Sequence, residues 1–575
     1  MRNTYFSTKK RLFAMFVAIA FIFFVIFLRL GYIQIVWGKK LQTRALEQWT
    51  RDLPVTADRG DITDTNGIVF ASSGTSYTVY VRPNSVSNHS LVAELLSQAL
   101  KLSYQDVYDK VTAKISENTI KRKITVEEAN LIRSYNLEGV YLAADTSREY
   151  VYGDFLSQVL GFVSSDNTGQ SGLEAYYDKY LRGVDGAILT PSDLVGKELE
   201  GESAYYTPPV SGLNVVTTID FRIQRVVENV LDLVMQGHSP KGARCIVVNP
   251  QTGEVLAMSS KPSVDLNNLP RDNIGELMAS TKNMLITDVY EPGSTFKVLT
   301  AAAMLEEYAR GNPKAHSASY VFPNNANFRI VDGSRVKCWT THTSSKHCNQ
   351  NLGDALNNSC NPIFTDIGLS LGKETMYKYL SAFGYGAVSG IDFAGEQAGL
   401  LVAESAVTNG DLARISFGQT IAVTPLQLAM ATSAAVNGGL LMQPYLVKEI
   451  RTQEGELVKK FYPTVRQRAI SEKVSRELAG LLENVVTNGS GKQAYIEGFN
   501  VGGKTGTAQK YENGHIAVGK YVSSFVGFFP ADNPQYLALM LVDEPTGAHY
   551  GSTVAAPYAK MIFQQIINYK NLKPA

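Results

Sequence analysis

The feature that most constrains this chain is an apolar run near its N-terminus, which extends without a charged residue from Leu12 to Leu28. Arg29 interrupts the run, and a mostly apolar stretch then continues to Trp37. A run of this length can cross the hydrocarbon layer of a bilayer, and an arginine near its end can extend its charge toward the headgroups. The sequence therefore predicts a transmembrane anchor over residues 12–35.

The charges beside this run predict its orientation. Residues 1–11 contain no acidic side chain and four basic ones, Arg2, Lys9, Lys10 and Arg11. Because basic residues favour the cytoplasmic side, we expect a short cytoplasmic tail, a single pass through a bacterial cell membrane and an extracytoplasmic remainder. The alternative is a cleaved signal peptide. The run is long for that role, and no small-x-small cleavage site follows it.

Length and composition bound the rest of the chain. Its 575 residues exceed one ordinary domain, and 54 Lys and Arg against 53 Asp and Glu give no reason to expect a nucleic-acid partner. Residues 40–207 are polar, rich in turn signals and without a catalytic constellation, which favours a mixed, non-catalytic pedestal domain. In residues 210–575, strands at both ends with helices between them predict an α+β domain.

Local patterns predict individual elements in both regions. Asn66-Gly67 between two short extended pieces predicts a hairpin turn, as does Pro250–Gly253 between two apolar stretches. Helical patterns cover Ser90–Leu102 and Thr125–Tyr135. The other predicted elements are strands at Val215–Ile219, Arg244–Asn249, Glu254–Met258, Tyr521–Phe529 and Tyr536–Val542 and helices at Ile223–Met235 and Val554–Ile567.

Catalytic chemistry is first indicated in Glu291–Lys297, where a serine and a lysine are three residues apart. On a helix this spacing places Ser294 and Lys297 one turn apart on the same face. A serine hydroxyl needs a base to take its proton. Lysine can be that base once burial or a nearby cation lowers its pKa from about 10.4. The pattern alone is weak, because Ser7 and Lys10 also match it.

Two further motifs follow Ser294 in order, and the ordered set is far more specific than its first member. Ser359 and Asn361 form an S-x-N motif, and Lys504–Thr507 form a K-T-G-T motif farther along the chain. A second serine can relay a proton to a leaving amine, and an asparagine amide can hold both a lysine and a substrate carbonyl. A literal S-D-N at Ser165–Asn167 precedes the nucleophile, and we interpret it as a turn.

The third motif has the composition of a substrate-binding strand. Lys504 offers positive charge, which favours a neutral first lysine and attracts a carboxylate on the substrate. Thr505 and Thr507 point the same way along a strand, and Gly506 lets a substrate backbone approach and pair with it. The backbone N–H groups of Ser294 and Thr507 are a plausible oxyanion hole.

S-x-x-K, S-x-N and K-T-G in this order are the signature of penicillin-binding proteins and serine β-lactamases. The chain resembles a class B, monofunctional penicillin-binding protein over essentially its whole length. The further matching stretches are Arg59-Gly60-x-Ile62-x-Asp64, Gly172-Leu173-Glu174, Ser416-Phe417-Gly418-Gln419 and Tyr550-Gly551-Ser552. The resemblance implies an antiparallel sheet flanked by helices in the C-terminal domain and an elongated pedestal before it. Thr65 departs from the family, which often has arginine there.

The resemblance implies a peptidoglycan D,D-transpeptidase that needs no cofactor for its chemistry. Its serine would attack the penultimate D-Ala carbonyl of a stem peptide, and an amine of a neighbouring stem would resolve the acyl-enzyme; β-lactams would acylate the same serine. Implied partners are the membrane, a membrane-embedded glycosyltransferase, and division or elongation proteins. The implied catalytic residues are Ser294, Lys297, Ser359, Asn361 and Lys504, and the implied substrate-binding residues are Thr505, Gly506 and Thr507.

Other functions stay open at this point. A D,D-carboxypeptidase would use water as the acceptor, and the sequence distinguishes it poorly from a transpeptidase. A secreted β-lactamase would be smaller and would lack anchor and pedestal, and a β-lactam sensor would need a cytoplasmic output domain. From a different class, the chain could act chiefly as a scaffold that activates a membrane glycosyltransferase. Division, elongation and sporulation are all compatible with the resemblance.

Cysteines and histidines cluster between the first two motifs. Cys338, His342, His347, Cys348 and Cys360 have a spacing that suits a tetrahedral zinc site. The alternatives are a Cys338–Cys348 disulfide, reasonable outside the cell, and unrelated surface residues.

A resemblance narrows the ligand set. Some class B proteins carry zinc beside the active site and have cysteine at the middle S-x-N position, which implies Cys338, His347 and Cys360 as ligands here. His342 is the first choice for the fourth ligand, with Asp332 and Cys348 behind it. Such a structural zinc would hold the second motif in place.

Overall fold

The computed structural model describes residues 3–37, 40–41, 50–191, 205–323, 326–342, 347–512 and 515–574. The helices are α1 Asn3–Ile35, α2 His89–Leu100, α3 Tyr104–Val111, α4 Val126–Ser134, α5 Ser157–Leu160, α6 Gly172–Tyr176, α7 Asp178–Leu181, α8 Phe221–His238, α9 Ile274–Ser280, α10 Met284–Thr287, α11 Lys297–Ala309, α12 Leu352–Asn357, α13 Asn361–Leu371, α14 Lys373–Ala382, α15 Asn409–Ile415, α16 Pro425–Val436, α17 Glu472–Thr487, α18 Gly551–Val554 and α19 Ala556–Lys570. The strands are β1 Thr50–Val55, β2 Ile62–Thr63, β3 Val69–Val81, β4 Asn118–Ile124, β5 Val140–Tyr150, β6 Gly186–Pro191, β7 Tyr205–Thr207, β8 Asn214–Thr217, β9 Gly242–Val248, β10 Val255–Lys261, β11 Phe328–Val331, β12 Ser334–Lys337, β13 Leu440–Met442, β14 Val447–Arg451, β15 Leu457–Lys460, β16 Val465–Arg468, β17 Gly502–Glu512, β18 His515–Phe529 and β19 Tyr536–Asp543.

Helix α1 contains the predicted anchor. Within its segment Thr8–Ile35, the most apolar 18-residue window has a mean hydropathy of 2.7, and none of that window is buried against the rest of the chain. At about 1.5 Å per residue the segment is longer than the roughly 30 Å of a bilayer's hydrocarbon core. By length and composition, α1 can therefore cross a membrane.

The contacts divide the chain into two compact units. The first comprises Met1–Asp58, Thr75–Ser147 and Gly183–Val210, and the second comprises Arg59–Gly74, Arg148–Arg182 and Ser211–Ala575. The chain therefore enters the second unit twice before its long C-terminal segment begins.

The first unit has its own small core, formed where helices pack on strands. Buried side chains such as Val79 of β3, Leu96 of α2 and Ile132 of α4 belong to this core. Local capping defines the helix starts: α4 begins at Thr125, whose hydroxyl accepts the Glu128 N–H while the Glu128 carboxylate accepts the Thr125 N–H. Both helices predicted in this region are present.

The second unit is built on a five-stranded antiparallel sheet in the order β10-β9-β19-β18-β17. Both faces are covered, and the side chains of β9 alternate between them. Cys245 and Val247 pack in a core with α8 and α19, whereas Ile246 and Val248 pack in the core that contains α11 and α16. This arrangement confirms the predicted α+β class and antiparallel sheet.

Most predicted elements of this unit are present, and two differ in extent. The closing helix is divided into α18 and α19, and Pro557 lies in the first turn of α19, where its missing N–H costs nothing. Strand β18 begins at His515 and not at Tyr521, because it continues to pair with β17 as far as Glu512. The hairpin at Asn66-Gly67 is confirmed, since β2 and β3 pair antiparallel around it.

A buried ion network joins the two N-terminal stretches that carried the family resemblance. Arg59 Nε donates to Glu174 Oε2 at 2.6 Å, and Arg148 Nε donates to Glu174 Oε1 at 2.7 Å. Arg59 Nη1 also reaches Asp178 at 2.7 Å. Gly60 beside Arg59 admits no side chain, because a Cβ there would lie 1.9 Å from the Leu213 carbonyl oxygen. The network is therefore structural and lies within the second unit.

Candidate active site

Ser294 lies in a single 3-10 turn, Gly293–Phe296, and Lys297 is the first residue of α11. The sequence predicts a helix over both residues, but the 3-10 turn brings positions i and i+3 into closer register than an α-helix does. Lys297 Nζ donates to Ser294 Oγ at 3.0 Å. A backbone hydrogen bond also holds this turn in place: the Gly293 N–H donates to the Gly418 carbonyl at 2.9 Å.

Lys297 is fully buried and is held by oxygen atoms on several sides. Besides Ser294 it contacts the Ser359 carbonyl at 2.8 Å, Ser359 Oγ at 3.1 Å and Asn361 Oδ1 at 2.7 Å. Burial lowers the pKa of Lys297 to about 8, although the nearby thiols of Cys338 and Cys360 oppose this shift. The amine is therefore positioned beside the serine with a useful neutral fraction near physiological pH.

The second motif reaches Lys297 because Ser359 adopts a left-handed backbone conformation, with φ of 52°. A side-chain-bearing residue rarely adopts this conformation. Here it presents both the carbonyl and the hydroxyl of Ser359 to the same amine. Asn361 begins α13, and its Nδ2 donates to the Lys337 carbonyl at 3.1 Å. The S-x-N motif thus joins the catalytic lysine to the end of β12.

Lys504 approaches the same hydroxyl from β17, and its Nζ donates to Ser359 Oγ at 3.0 Å. The sequence predicts a positive charge here that attracts a substrate carboxylate. The structure instead buries this amine completely, and burial together with the charge of Lys297 places the pKa of Lys504 well below its ordinary value. Lys504 therefore contributes more to the hydrogen-bond chain through Ser359 than to the charge of the cleft.

The remaining residues of the third motif line the cleft, and the packing of the strand gives a further reason for a glycine at this position. A Cβ on Gly506 would lie 2.4 Å from Ser524 Oγ and 3.0 Å from Thr295 Cγ2, on the side of the strand that packs on the nucleophile turn. Gly506 therefore lets β17 pack closely against that turn. Thr505 Oγ1 donates to Ser490 Oγ at 3.1 Å, and Thr507 Oγ1 accepts the Gly551 N–H at 3.1 Å.

These groups open into one cleft of about 660 Å³. Of the predicted residues, Ser294, Ser359, Asn361 and 505–507 line it, while Lys297 and Lys504 lie beneath its floor. The lining residues that motif reasoning missed include Arg335, Lys337, Trp339 and Arg414.

One sequence signal could have found two of these missed residues. Arg335 and Lys337 alternate directly before Cys338, and side chains two positions apart share one face of a strand. Arg414 gave no such signal, because it reaches the cleft only through the packing of α15.

The predicted metal residues come together beside the second motif. One ligand atom from each of Cys338, His342, His347 and Cys360 lies within 4.8 Å of all the others. Cys338 Sγ is 3.9 Å from His347 Nδ1, and Cys360 Sγ is 3.7 Å from His342 Nε2. A thiol hydrogen bond from Cys360 lowers the pKa of Cys338, which favours a thiolate in this cluster.

This donor set fits zinc. Two sulfurs and two imidazole nitrogens are a common zinc combination, and tetrahedral coordination separates such donors by about 3.3–3.8 Å. The measured sulfur–nitrogen distances are close to that range, and His342 Nδ1 is buried without a hydrogen-bond partner among the described residues.

The structure also decides between the other candidates near this cluster. Cys338 and Cys348 are both free cysteines, so the predicted alternative of a disulfide between them is wrong. Asp332 is occupied elsewhere, because its Oδ2 accepts the Gly410 N–H at 2.7 Å. The literal S-D-N at Ser165–Asn167 is a turn as predicted, and Ser7–Lys10 lies within the apolar helix α1.

Comparison with known proteins decides the family. Residues 243–567 match the penicillin binding protein transpeptidase domain, and residues 54–217 match the penicillin-binding protein dimerisation domain. Stage V sporulation protein D of Bacillus subtilis (strain 168) is 40% identical over 580 residues, which cover 100% of this chain and 88% of that protein. The chain belongs to the class B penicillin-binding proteins.

More distant relatives agree with this assignment. The peptidoglycan D,D-transpeptidase FtsI of Escherichia coli (strain K12) is 26% identical to this penicillin-binding protein over 559 residues, 95% of this chain and 89% of that one. The crystal structure of a peptidoglycan synthetase from Bifidobacterium adolescentis is 24% identical and superposes with a TM-score of 0.72, covering 92% of this chain and 98% of that chain. The structural likeness confirms the fold.

Proposed function

We propose that this class B penicillin-binding protein is a peptidoglycan D,D-transpeptidase in which Ser294 is acylated and Lys297 is the general base. The observation that carries the proposal is the 3.0 Å contact between Lys297 Nζ and Ser294 Oγ, made by a buried amine whose pKa burial lowers to about 8. The names of the relatives, peptidoglycan D,D-transpeptidases among them, support this reaction and do not favour the scaffold or carboxypeptidase alternatives.

Acylation begins when neutral Lys297 takes the proton of Ser294 as Oγ bonds to the carbonyl carbon of the penultimate D-Ala. The backbone N–H groups of Ser294 and Thr507 stabilise the negative charge that develops on the carbonyl oxygen. Ser359 lies within hydrogen-bond distance of Lys297 and relays a proton to the departing amine of the terminal D-Ala. The C–N bond breaks, D-Ala leaves, and the acyl-Ser294 ester remains.

Deacylation uses the same groups in reverse. The amine of a neighbouring stem peptide attacks the ester carbon, gives a proton to the Ser359–Lys297 pair, and forms the new amide bond as Ser294 recovers its hydrogen. Asn361 holds Lys297 through Oδ1, and Lys504 holds Ser359 Oγ. We assign substrate binding to Thr505, Gly506 and Thr507, because their strand forms one edge of the cleft beside Ser294.

We further propose a structural zinc ion at Cys338, His342, His347 and Cys360. When bound, the ion would supply charge and rigidity and no step of the reaction. Its ligands would connect the segment after β12 to the S-x-N motif, because Cys360 stands between Ser359 and Asn361. Because Cys360 follows Ser359 directly, an ion bound to Cys360 would help to hold the backbone of Ser359 in its unfavourable conformation.

For the whole chain we propose a cytoplasmic tail at residues 1–11, a single-pass anchor at 12–35, a pedestal at 40–207 and the transpeptidase domain at 210–575. The basic tail and the span Thr8–Ile35 support this orientation. Identity to the sporulation protein, 40% against 26% for FtsI, favours sporulation over division as the process served. A membrane-embedded glycosyltransferase is the proposed partner, since it would supply the strands to be cross-linked.

The products of the reaction test the proposed function. Full-length protein in detergent is incubated with lipid-linked glycan strands that carry pentapeptide stems, and the stems are then analysed by mass. A transpeptidase gives cross-linked dimers and one released D-Ala per cross-link, whereas a carboxypeptidase gives tetrapeptide monomers. Pentapeptide that stays intact with wild-type protein, while cells with Ser294→Ala make a normal wall, would instead support the scaffold.

A further inference from the structure

Three cationic side chains line the cleft, Arg335, Lys337 and Arg414, and no carboxylate is among the lining residues in the described part of the chain. The two catalytic lysines are fully buried beneath the floor of the cleft, so neither presents an ammonium group on its surface. The cationic side chains on the surface of the cleft therefore come from β12 and α15.

Arg335 and Lys337 are placed to act together. They are two residues apart on β12 and share its exposed face, while Val336 between them is buried. The Lys337 carbonyl accepts Asn361 Nδ2 at 3.1 Å, and Asn361 Oδ1 in turn holds Lys297. The side chain of Asn361 thus connects the end of β12 to the catalytic base Lys297. Arg335 lies about 7 Å from Lys337 along the strand.

The hairpin β11–β12 is held firmly against two helices. Arg329 makes a two-point ion pair with Asp366 of α13, at 2.8 and 2.6 Å. Asp332 in the hairpin turn accepts the Gly410 N–H at 2.7 Å in the first turn of α15. The last turn of α15 carries Arg414. The three cations that line the cleft therefore lie on β12 and α15, which are held together through the hairpin turn.

Two of these cations, Arg335 and Lys337, have no partner of opposite charge among the described residues, whereas Arg414 has one. Arg414 lies 3.7 Å from Asp411 of its own helix. Arg335 stacks its guanidinium 3.8 Å from the centre of the Phe328 ring, and no carboxylate pairs with it or with Lys337 in the described ranges. Residues 324–325 and 343–346, near this hairpin in sequence, include no acid. A rigid guanidinium over an aromatic ring next to an exposed ammonium is suited to a carboxylate ligand.

We propose that Arg335 and Lys337, with Arg414 beside them, bind a carboxylate of the donor stem peptide upstream of D-Ala-D-Ala, so that the enzyme selects anionic stems. This inference rests on the proposed transpeptidase function. An extended peptide advances about 3.3 Å per residue, so the two or three residues before the scissile bond extend about 7–10 Å along the cleft that contains both Ser294 and these cations. The carboxylate belongs either to a diamino diacid at the third stem position or to the γ-linked residue at the second.

Matched donors test this selection. Lipid-linked pentapeptide stems are prepared with both carboxylates free, with only the third-position carboxylate amidated, and with only the second-position one amidated. For full-length wild-type protein we expect kcat/KM for D-Ala release to fall about tenfold for one amidated donor, the size of a partly exposed charge-assisted contact. The position whose amidation lowers the rate identifies the source of the carboxylate.

The variant Arg335→Gln/Lys337→Gln should abolish this preference by slowing release from the free acid toward the rate of the amide. Lys473→Gln, which removes an exposed lysine on α17, should keep the full preference. Equal rates of the wild-type protein with all donors, or an undiminished preference in the double variant, would overturn the inference. Failure of the proposed function looks different: a scaffold consumes no donor, and a carboxypeptidase releases D-Ala but forms tetrapeptide monomers and no cross-linked dimers.

A second measurement needs no variant and therefore does not depend on the double variant folding. The ratio of the acid and amide rates in the wild-type protein should fall toward one as the salt concentration rises from about 0.05 to 0.5 M, because exposed charges are screened. A ratio that is large and independent of salt would contradict recognition by these exposed cations.

Discussion

Lys297 and Lys504 donate hydrogen bonds to the same atom, Ser359 Oγ, at 3.1 and 3.0 Å. Both amines are fully buried, so each positive charge disfavours the other and burial disfavours both. A single hydroxyl with one hydrogen therefore lies between two amines that cannot easily be protonated together. This arrangement connects the base beside Ser294 to a relay hydroxyl, and it makes the reaction sensitive to pH.

Acylation of Ser294 should accelerate with pH, with a midpoint near 8. Burial lowers the pKa of Lys297 to about 8, and only the neutral amine can accept the serine proton. Below the midpoint the neutral fraction falls about tenfold per pH unit. Stopped-flow acylation by benzylpenicillin between pH 6 and 9 checks this, with thermal unfolding measured at each pH as control. A rate constant that is flat across this window would contradict Lys297 as the base.

Gly506→Ala should greatly reduce acylation while the protein stays folded. The new methyl group would lie 2.4 Å from Ser524 Oγ and 3.0 Å from Thr295, so β17 must move away from the nucleophile turn. We expect a loss of about 100-fold, the cost of a 1 Å misplacement at a reacting group. Gly480→Ala in α17 is the matched control, because its methyl group meets nothing within 4 Å. Near-normal acylation in Gly506→Ala would show that this packing is unimportant.

Native mass spectrometry should find one zinc ion per chain. Cys360→Ser removes a predicted ligand and should lose the ion, whereas Cys348→Ser removes a cysteine outside the cluster and should retain it. Chelation should also lower the unfolding temperature and slow β-lactam acylation, because the ion fixes the S-x-N motif. Equal metal content in the two variants, or unchanged acylation in protein verified to be metal-free, would refute the structural zinc.

Glu174→Ala should destabilise the protein by about 3–5 kcal/mol. The substitution leaves the guanidinium groups of Arg59 and Arg148 buried without their shared carboxylate, and an unpaired buried charge has a cost of this size. Arg476→Ala breaks a 2.8 Å pair with Glu472 whose side chains are 75% and 70% exposed, and should cost at most about 1 kcal/mol. Denaturant unfolding of both variants measures the contrast, and equal costs would argue against a structural network.

Local chemistry made much of the fold predictable. The Asn-Gly turn, the hairpin at Pro250–Gly253 and the helices near residues 90 and 125 follow from patterns a few residues long. The order of the central sheet does not, because β9 pairs with β19, a strand almost 300 residues later, through contacts that no local pattern contains.

The candidate site, like the fold, could be predicted from the sequence only in part. Ordered motifs identified Ser294 and its partners, because the chemistry needs those residue types. Two interpretations depended on the orientation of a residue, which the motifs do not contain. Lys504 is buried beneath the cleft, and a Cβ on Gly506 would point at Ser524 and the nucleophile turn although the glycine itself lines the cleft. The cations of β12 and α15 were missed, since only the packing of the hairpin against α15 brings Arg335 and Arg414 to one wall.

The most direct test of the central claim is the intact mass of the protein after brief exposure to benzylpenicillin, followed by peptide mapping. The account predicts one adduct per chain, located on Ser294, and no adduct in Ser294→Ala. An adduct on another residue, or undiminished labelling of Ser294→Ala, would contradict the assignment of Ser294 as the acylated nucleophile.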